Sequence, residues 1–139
     1  MTPTVNETTV RVRYADTDAM GVAYHGNYFV WFETGRTEYL RALGLRYDDV
    51  VALGYHMPVV ECSARFLVPA RYDDRLAVVT TVTRLDRLRV SFQYRIRNAD
   101  TGQALTEGAT HHAFVSLDGR PKRLPAASAL WLCLAGAQP

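Results

Sequence analysis

The feature that most constrains the fold is a single change of hydrophobic period along the chain. From Tyr28 to about Leu43 the apolar residues recur at helical spacing, which predicts one long helix with a broad apolar surface. After a short helical turn the period becomes two, which predicts strands separated by turns. The predicted strands are 8–14, 58–68, 75–85, 88–98 and 104–117, with short helices at 48–53 and 126–135.

Four consecutive strands on short turns form an antiparallel sheet, and this sheet must cover the apolar helix. We therefore predict an α+β fold in which an antiparallel sheet curls around one central helix. The 139 residues fit a single domain, residues 1–139. Long strands leave edges that need covering, and pairing with a second copy of the chain would cover them.

Charge and cysteine content argue against several classes of protein. The net charge of +2 gives no indication of nucleic-acid binding, and no run of 18 apolar residues is present that could span a membrane. Cys62 and Cys133 form neither a CxxC pair nor a metal-ligand pattern. We expect them to be reduced core thiols in a cytoplasmic protein, and we predict no metal site and no cofactor.

Two aspartates open the segment between the first strand and the long helix, which reads DTDAMGVAYHGNY. Asp16 and Asp18 are two residues apart, so their side chains would share a face if the segment were extended. A carboxylate can act as a general base or a nucleophile. Such aspartates also cap turns, and their spacing alone leaves both roles open.

A histidine and a glycine close the same segment. His25 is either a structural or surface residue or a participant in catalysis, and Gly26 permits close approach to the backbone. Asn27 is a predicted N-cap and Gly44 a predicted C-terminal stop of the helix. The backbone N–H groups near residue 25 would then point out of the helix N-terminus, where they suit an anion or a developing oxyanion. This combination suits acyl transfer.

These residues carry a resemblance to a known family. YADTDAMGVAYHGNYFVWFE and GRTEYLRALG, followed by PVVECSARFLVPARYDD and FVSLDGRPKRLP, resemble the hot-dog-fold acyl-CoA thioesterases of the 4-hydroxybenzoyl-CoA thioesterase family. The most similar type is the Tol-Pal-associated acyl-CoA thioesterase, and the match covers about residues 8–125. The resemblance implies a hot-dog fold, a homodimer that assembles further into a homotetramer, and hydrolysis of an acyl-CoA.

The resemblance also implies roles for single residues. Asp18 would be the catalytic carboxylate, acting as general base on water or as a nucleophile that forms a mixed anhydride, and Asp16 would support the turn. The N–H groups of His25 and Gly26 would form the oxyanion hole. The His25 side chain resembles the histidine of the Tol-Pal-associated type, whereas the benzoyl-specific branch has a tyrosine there.

Further candidates would bind substrate. Glu33 would reach the acyl group from the partner subunit, or it is a solvated acid that pairs with Arg36. His111 and His112 are adjacent in a strand, so their side chains face opposite sides, and a core or interface position is expected for one of them. The acyl-pocket candidates are Pro58 and Val59, the CoA-phosphate candidates are Arg87, Arg89 and Ser91, and Tyr24 and Asn27 are candidate substrate contacts beside the oxyanion hole.

Two other functions fit the same fold. A hot-dog hydratase or dehydratase would act on enoyl or hydroxyacyl thioesters and needs a histidine paired with an acid at the α and β carbons; its usual motif is missing from this sequence. A non-catalytic acyl-CoA binding module would bind the thioester without turnover, and it would gain nothing from Asp18.

Overall fold

A computed structural model describes residues 4–138, so residues 1–3 and residue 139 of the predicted domain lie outside the described part. The chain contains five strands and three α-helices in this part, with a 3₁₀ turn at Tyr14–Asp16. The strands are β1 (Asn6–Arg11), β2 (Val59–Phe66), β3 (Arg75–Leu85), β4 (Arg89–Asn98) and β5 (Ala104–Ala113); the helices are α1 (Asn27–Ala42), α2 (Tyr47–Ala52) and α3 (Ala129–Gly136).

The five strands form one antiparallel sheet in the order β1-β3-β4-β5-β2. The short turns predicted after β3 and β4 join neighbouring strands, as an antiparallel meander requires. Both ends of the strand order, β1 and β2, are edges of the sheet. The predicted α+β hot-dog class, an antiparallel sheet around one long helix, is confirmed.

Helix α1 packs against one face of the sheet through aromatic side chains. Phe32 stacks on Tyr94 of β4 with ring centroids 4.4 Å apart, and Tyr39 meets Phe92 edge to face at 5.8 Å. All four side chains are buried. Fully burying side chains of this size contributes roughly 1.5–3 kcal/mol each, so the helix and the sheet stabilise each other.

Glycines allow this packing to be close. A Cβ atom on Gly108 of β5 would lie 2.4 Å from the Phe32 ring and 2.6 Å from the backbone oxygen of Ser63. A Cβ on Gly35 would lie 2.5 Å from Thr80 Oγ1. The absence of a side chain at these positions therefore lets α1 sit directly on the strands.

Most predicted element boundaries are confirmed within a few residues, and the differences have local causes. β5 ends at Ala113 rather than at residue 117, because Val115 leaves β4 and forms bridges with His56 and Pro121. β1 covers residues 6–11 rather than 8–14, because the chain turns at Tyr14–Asp16. Gly44, with φ +85°, ends α1 as predicted.

Strand β2 differs from the other strands in exposure. It pairs with β5 along one edge, and seven of its eight residues are exposed, on both faces. Cys62 lies in this strand and is exposed, so its predicted core position is wrong; Cys133 is half-buried. Among the described helices, none combines the length and the hydropathy that crossing a bilayer requires.

Candidate functional site

The loop between β1 and α1 begins with a buried carboxylate. Asp16 is 4% exposed and accepts hydrogen bonds from the backbone N–H of Arg13 at 2.8 Å and from its guanidinium at 2.9 Å. The side-chain hydrogen bond from Arg13 lowers the pKa of Asp16 below its usual value, although burial opposes this effect. Asp16 therefore stays ionised and holds the turn, the supporting role expected for it.

The backbone of Asp16 also holds the start of the helix. Its carbonyl oxygen accepts hydrogen bonds from the N–H of Tyr24 at 2.8 Å and from Asn27 Nδ2 at 2.7 Å. Those two residues flank His25 and Gly26. One carbonyl therefore ties the loop that carries the aspartates to the N-terminal turn of α1.

Asp18 opens a tight turn in the middle of the loop. Its carbonyl accepts a hydrogen bond from the N–H of Gly21 at 2.9 Å, and its Oδ1 accepts one from the N–H of Met20 at 2.9 Å. Gly21 has a φ of +76°, which glycine adopts without strain. Because the segment turns twice, Asp16 and Asp18 do not lie on one extended strand. Asp18 is half-buried, and Oδ2 makes no hydrogen bond within residues 4–138.

Two backbone amides at the start of α1 have no acceptor in the described part of the chain. These are the N–H groups of His25 and Gly26; the first donors of the helix turn are Asn27 to Tyr24 and Tyr28 to His25. The N-cap is Gly26, and Asn27 is the first helical residue. The prediction of Asn27 as N-cap is therefore wrong by one residue, because its side chain bonds back to Asp16 instead.

Side chains near these amides are exposed. His25 packs its ring against Tyr24 with centroids 4.3 Å apart, and both residues are accessible. A Cβ on Gly26 would lie 2.8 Å from the Tyr24 ring. The glycine therefore makes room for Tyr24 in this structure, as well as leaving the amides uncovered.

A cavity of about 530 Å³ lies between α1, the segment before β2, and strands β4 and β5. Three predicted substrate residues meet there: Glu33 from α1, and Pro58 and Val59 from the β2 side. Its apolar walls include Leu40, Met57 and Phe92. Asp18 and His25 do not line it, so one chain keeps the loop of Asp18 and this cavity apart. We call this cavity the α1 pocket.

A buried chain of hydrogen bonds forms one wall of the α1 pocket. His112 Nδ1 lies 2.9 Å from the carbonyl oxygen of Met57, which only accepts, so Nδ1 carries the hydrogen. His112 Nε2 then accepts from Thr110 Oγ1 at 2.8 Å, and Thr110 accepts from the Tyr94 hydroxyl at 2.6 Å. Each hydrogen bond in this series therefore has one direction. His112 holds the carbonyl group of Met57, the residue that precedes Pro58.

Burial is the main reason that His112 is neutral. It lowers the pKa of His112 to about 4 although the hydrogen bond to Met57 opposes this effect, and the positive charge of Arg36 acts in the same direction as burial. The predicted opposite orientation of the two histidines is confirmed, since His111 bonds to Ser91 at 2.7 Å instead. His112 had no signal of its own in the sequence beyond its place in a strand, because Met57, whose carbonyl it holds, is 55 residues away along the chain.

The CoA-phosphate candidates are only partly brought together. Arg89 and Ser91 line a second cavity of about 410 Å³, together with Arg84 and His111. Arg87 does not line it. Arg89 is exposed, whereas Ser91 is 4% exposed and engaged with His111.

Comparison with known protein families gives one match that covers most of the chain. Residues 12–132 match the thioesterase-like superfamily. A putative acyl-CoA thioesterase of Bacillus subtilis, YneP, is 33% identical over 111 residues, covering 80% of each chain. The acyl-CoA thioester hydrolase YbgC of Escherichia coli is 37% identical over 91 residues, covering 66% of this chain and 68% of YbgC.

Solved structures agree with this match. A hypothetical protein of Thermus thermophilus superposes with a TM-score of 0.88 at 35% identity, covering 95% of this chain and 98% of its own. A DHNA-CoA thioesterase of Staphylococcus aureus gives 0.88 at 34% identity, covering 95% and 89% respectively.

Proposed function

The chain belongs to the thioesterase-like superfamily and is a thioester hydrolase, and on this premise we propose that it hydrolyses an acyl-CoA to a free carboxylic acid and CoA. The relatives named above as acyl-CoA thioesterases support an acyl-CoA substrate. We propose Asp18 as the catalytic carboxylate. His25, in the place of the histidine of the Tol-Pal-associated type, would position the substrate, which makes that type the preferred subgroup.

The observation that carries this assignment is the pair of free amides at the end of the same loop that contains Asp18. The N–H groups of His25 and Gly26 lack acceptors within residues 4–138, and they lie at the positive end of a 16-residue helix. A thioester carbonyl placed there would accept from them as its oxygen gains charge. One such donor typically contributes about 3 kcal/mol to transition-state stabilisation.

The loop gives Asp18 a fixed position for the attack. Oδ1 is held by the N–H of Met20, which leaves Oδ2 to accept a proton from water or to attack the carbonyl carbon. In the first route, water forms the new C–O bond, its proton passes to Asp18, and the C–S bond breaks. In the second route, Oδ2 forms a mixed anhydride that water then hydrolyses. In both routes CoA leaves as a thiolate and gains a proton afterwards.

The rest of the substrate would extend in two directions from this centre. Tyr24 and Asn27 flank the amides and would contact the thioester region. Arg89, exposed at the start of β4, would bind a CoA phosphate through its guanidinium. We assign Arg87 and Ser91 to the same region, with Ser91 acting from its hydrogen bond to His111.

The acyl group would occupy the α1 pocket of a partner subunit. Asp18 and the α1 pocket are separate within one chain, so a second copy that places its Glu33, Pro58 and Val59 opposite Asp18 would complete the site. We therefore propose a homodimer, assembled into a homotetramer. A cytoplasmic location belongs to the same proposal.

The test is thiol release from acyl-CoAs of graded chain length and from benzoyl-type CoAs. We expect Asp18→Asn to lower kcat/KM by about 10²–10⁴-fold, since it removes a general base or nucleophile. Asp48→Asn, a change to an exposed aspartate on α2, is the matched control and should retain wild-type activity. Asp16→Asn should keep turnover but lose stability.

Other outcomes select other functions. If the wild type binds acyl-CoA in calorimetry and releases no thiol from any substrate, the binding-module function replaces hydrolysis. If the wild type hydrates crotonyl-CoA and releases no thiol, the hydratase function replaces hydrolysis. Full activity in Asp18→Asn would remove Asp18 from the mechanism.

A further inference from the structure

The α1 pocket has two kinds of polar wall. On the side of β2 and β5, the polar groups are already bonded to each other. His112 donates through Nδ1 and accepts through Nε2. The Tyr47 hydroxyl, which comes from α2, accepts from the N–H of Met57 at 3.4 Å and bonds to His56 Nδ1 at 3.1 Å. These polar groups are therefore already engaged with one another.

The wall formed by α1 is different. Glu33, Arg36 and Thr37 line the pocket at helical spacing. Within residues 4–138, the side chains of Glu33 and Thr37 make no hydrogen bond or ion pair, and Arg36 meets the hydroxyl of Tyr94 rather than Glu33, so the expected pairing of Glu33 with Arg36 is not formed. The hydrogen-bonding capacity available to a ligand therefore lies on one face of α1.

Arg36 is the most unusual member of this group. It is half-buried, and a guanidinium brings five N–H donors and a permanent charge. Among residues 4–138 its guanidinium hydrogen-bonds with the Tyr94 hydroxyl, which leaves further N–H donors. Arg41, one turn and a half further along α1, instead bonds to Glu38 at 3.2 Å. Donors of Arg36 are therefore available to a ligand in the α1 pocket.

The surroundings of Arg36 place its charge at the inner side of the pocket. Burial raises the pKa of Tyr94, and the hydrogen bond with Thr110 together with the charge and hydrogen bond of Arg36 oppose this rise. Tyr94 and His112 are fully buried, so the guanidinium that interacts with both lies against the buried wall of the pocket. Leu40 and Phe92 line the same pocket with apolar surface. An acyl group that fills the pocket would thus reach a cation at its buried wall.

We propose that Arg36 binds an oxygen substituent at the distal end of the acyl group, so that the enzyme selects acyl-CoAs that are polar at that end. This inference rests on the proposed function. A carboxylate would receive two parallel hydrogen bonds from the guanidinium, and a hydroxyl would receive one. The cavity volume of about 530 Å³ lies in the range of small-molecule sites.

Three CoA esters of equal chain length test this selection: hexanoyl-CoA, 6-hydroxyhexanoyl-CoA and adipoyl-CoA. We expect the wild type to prefer at least one oxygen-bearing ester over hexanoyl-CoA by tenfold or more in kcat/KM. Arg36→Met should abolish that preference, and Arg36→Lys should retain part of it. The preferred ester distinguishes a carboxylate ligand from a hydroxyl ligand.

Arg41→Met is the matched control, because it removes the same side chain from an exposed, ion-paired position on the same helix. It should keep the wild-type preference. Circular dichroism and the melting temperature establish that Arg36→Met is folded. Equal kcat/KM for all three esters, or a preference that persists in Arg36→Met, would overturn the inference while hydrolysis itself stands.

A binding measurement separates this inference from the proposed function. Calorimetry with the three CoA esters, on the Asp18→Asn protein to prevent turnover, reports the pocket without catalysis. Tighter binding of an oxygen-bearing ester that Arg36→Met abolishes supports the role of Arg36 even if no ester is hydrolysed. Equal binding of all three esters in both proteins contradicts it.

Discussion

At the scale of single residues, two aspartates two positions apart have been given different environments. Asp16 is buried and accepts three hydrogen bonds from Arg13 through its carboxylate, so the pKa of Asp16 is lowered and its charge holds the loop. Asp18 keeps one carboxylate oxygen without a partner in the described residues. The difference arises from the backbone, which turns between them, and it leaves Asp18 as the carboxylate available for chemistry.

His112 shows how a titratable residue can serve the structure by staying neutral. Its ring is 2% exposed, and it connects Thr110 to the carbonyl of Met57. In the neutral form Nε2 can accept from Thr110, whereas the protonated ring could not. Protonation would turn Nε2 into a donor, so the Thr110 hydroxyl would have to reorient to accept from it.

This neutrality predicts a loss of stability in mild acid. The pKa of His112 is lowered from 6.5 to about 4 in the folded protein. Between these values the unfolded chain binds the extra proton, so stability falls as the pH is lowered through this window. From pH 7 to pH 5 the expected contribution of His112 is a loss of about 2 kcal/mol. Urea unfolding at both pH values measures it.

The variant His112→Gln removes this titration. It should be less stable than the wild type at pH 7, because it disturbs a buried hydrogen-bonded group, but its loss between pH 7 and pH 5 should be smaller by about 2 kcal/mol. His111→Gln, on the opposite face of β5, is the matched control and should keep the wild-type difference. An unchanged pH dependence in His112→Gln would show that folding does not lower the pKa of His112.

At the scale of secondary-structure elements, the fold depends on how closely α1 approaches the sheet. The helix lies on glycines as well as on large side chains, and Gly108 is the tightest of these contacts. The Phe32 ring fills the space above it, while the backbone oxygen of Ser63 in the neighbouring strand β2 lies on its other side. A side chain at residue 108 would thus disturb both the helix and the pairing of β2 with β5.

We expect Gly108→Ala to destabilise the protein by about 1–3 kcal/mol, the usual cost of overpacking a core. The obstacle on one side is backbone, which cannot rotate away. Gly136→Ala on α3 is the control, because a Cβ there meets nothing within 4 Å. Chemical denaturation of both variants gives the comparison, and equal stabilities would mean that α1 can shift away from β5 at no cost.

The elements themselves were largely predictable from the sequence. β3 has the predicted bounds, Arg75 to Leu85, although its register against β4 shifts between Val82 and Arg84. The start of α1 was predicted one residue too late, because the side chain of Asn27 bonds to the carbonyl of Asp16 and does not cap the helix. β5 was predicted too long, because alternation continues after Ala113 while the chain has already left β4 for other partners.

The site was predictable only where its residues are close in sequence. The loop from Asp16 to Asn27 forms a local unit, so its aspartates and glycines could be read together. The α1 pocket is assembled from residues far apart in the sequence, and only Glu33, Pro58 and Val59 were predicted for it. Arg36 and His112 were not predicted as pocket residues, because no sequence spacing relates them to the residues that they face there.

At the scale of the whole molecule, strand β2 is the part that a single chain leaves unfinished. Almost all of its residues are exposed, and its outer edge pairs with no other strand among the described residues. It also carries exposed apolar side chains, with Val60 64% and Phe66 47% exposed. An edge of this kind favours pairing with another copy of the strand, which would also bring a second α1 pocket near the first chain.

Assembly of the subunits is therefore expected to depend on strand β2. Val60→Asp places a charge on the exposed edge strand, where burial of an unpaired carboxylate in a subunit interface is unfavourable. We expect this variant to sediment as a monomer, whereas the wild type sediments as a dimer or tetramer. Leu132→Asp on α3 is the matched control, since Leu132 is 59% exposed and lies outside the sheet, and it should assemble normally.

Assembly and activity should be lost together if the acyl group binds between subunits. Thiol release by monomeric Val60→Asp is then expected to fall at least 100-fold, although its circular dichroism remains that of the folded chain. A monomer with wild-type activity would mean that Asp18 and the acyl group meet within one chain. The sedimentation and activity of the same preparation thus decide whether the exposed strand serves catalysis or only assembly.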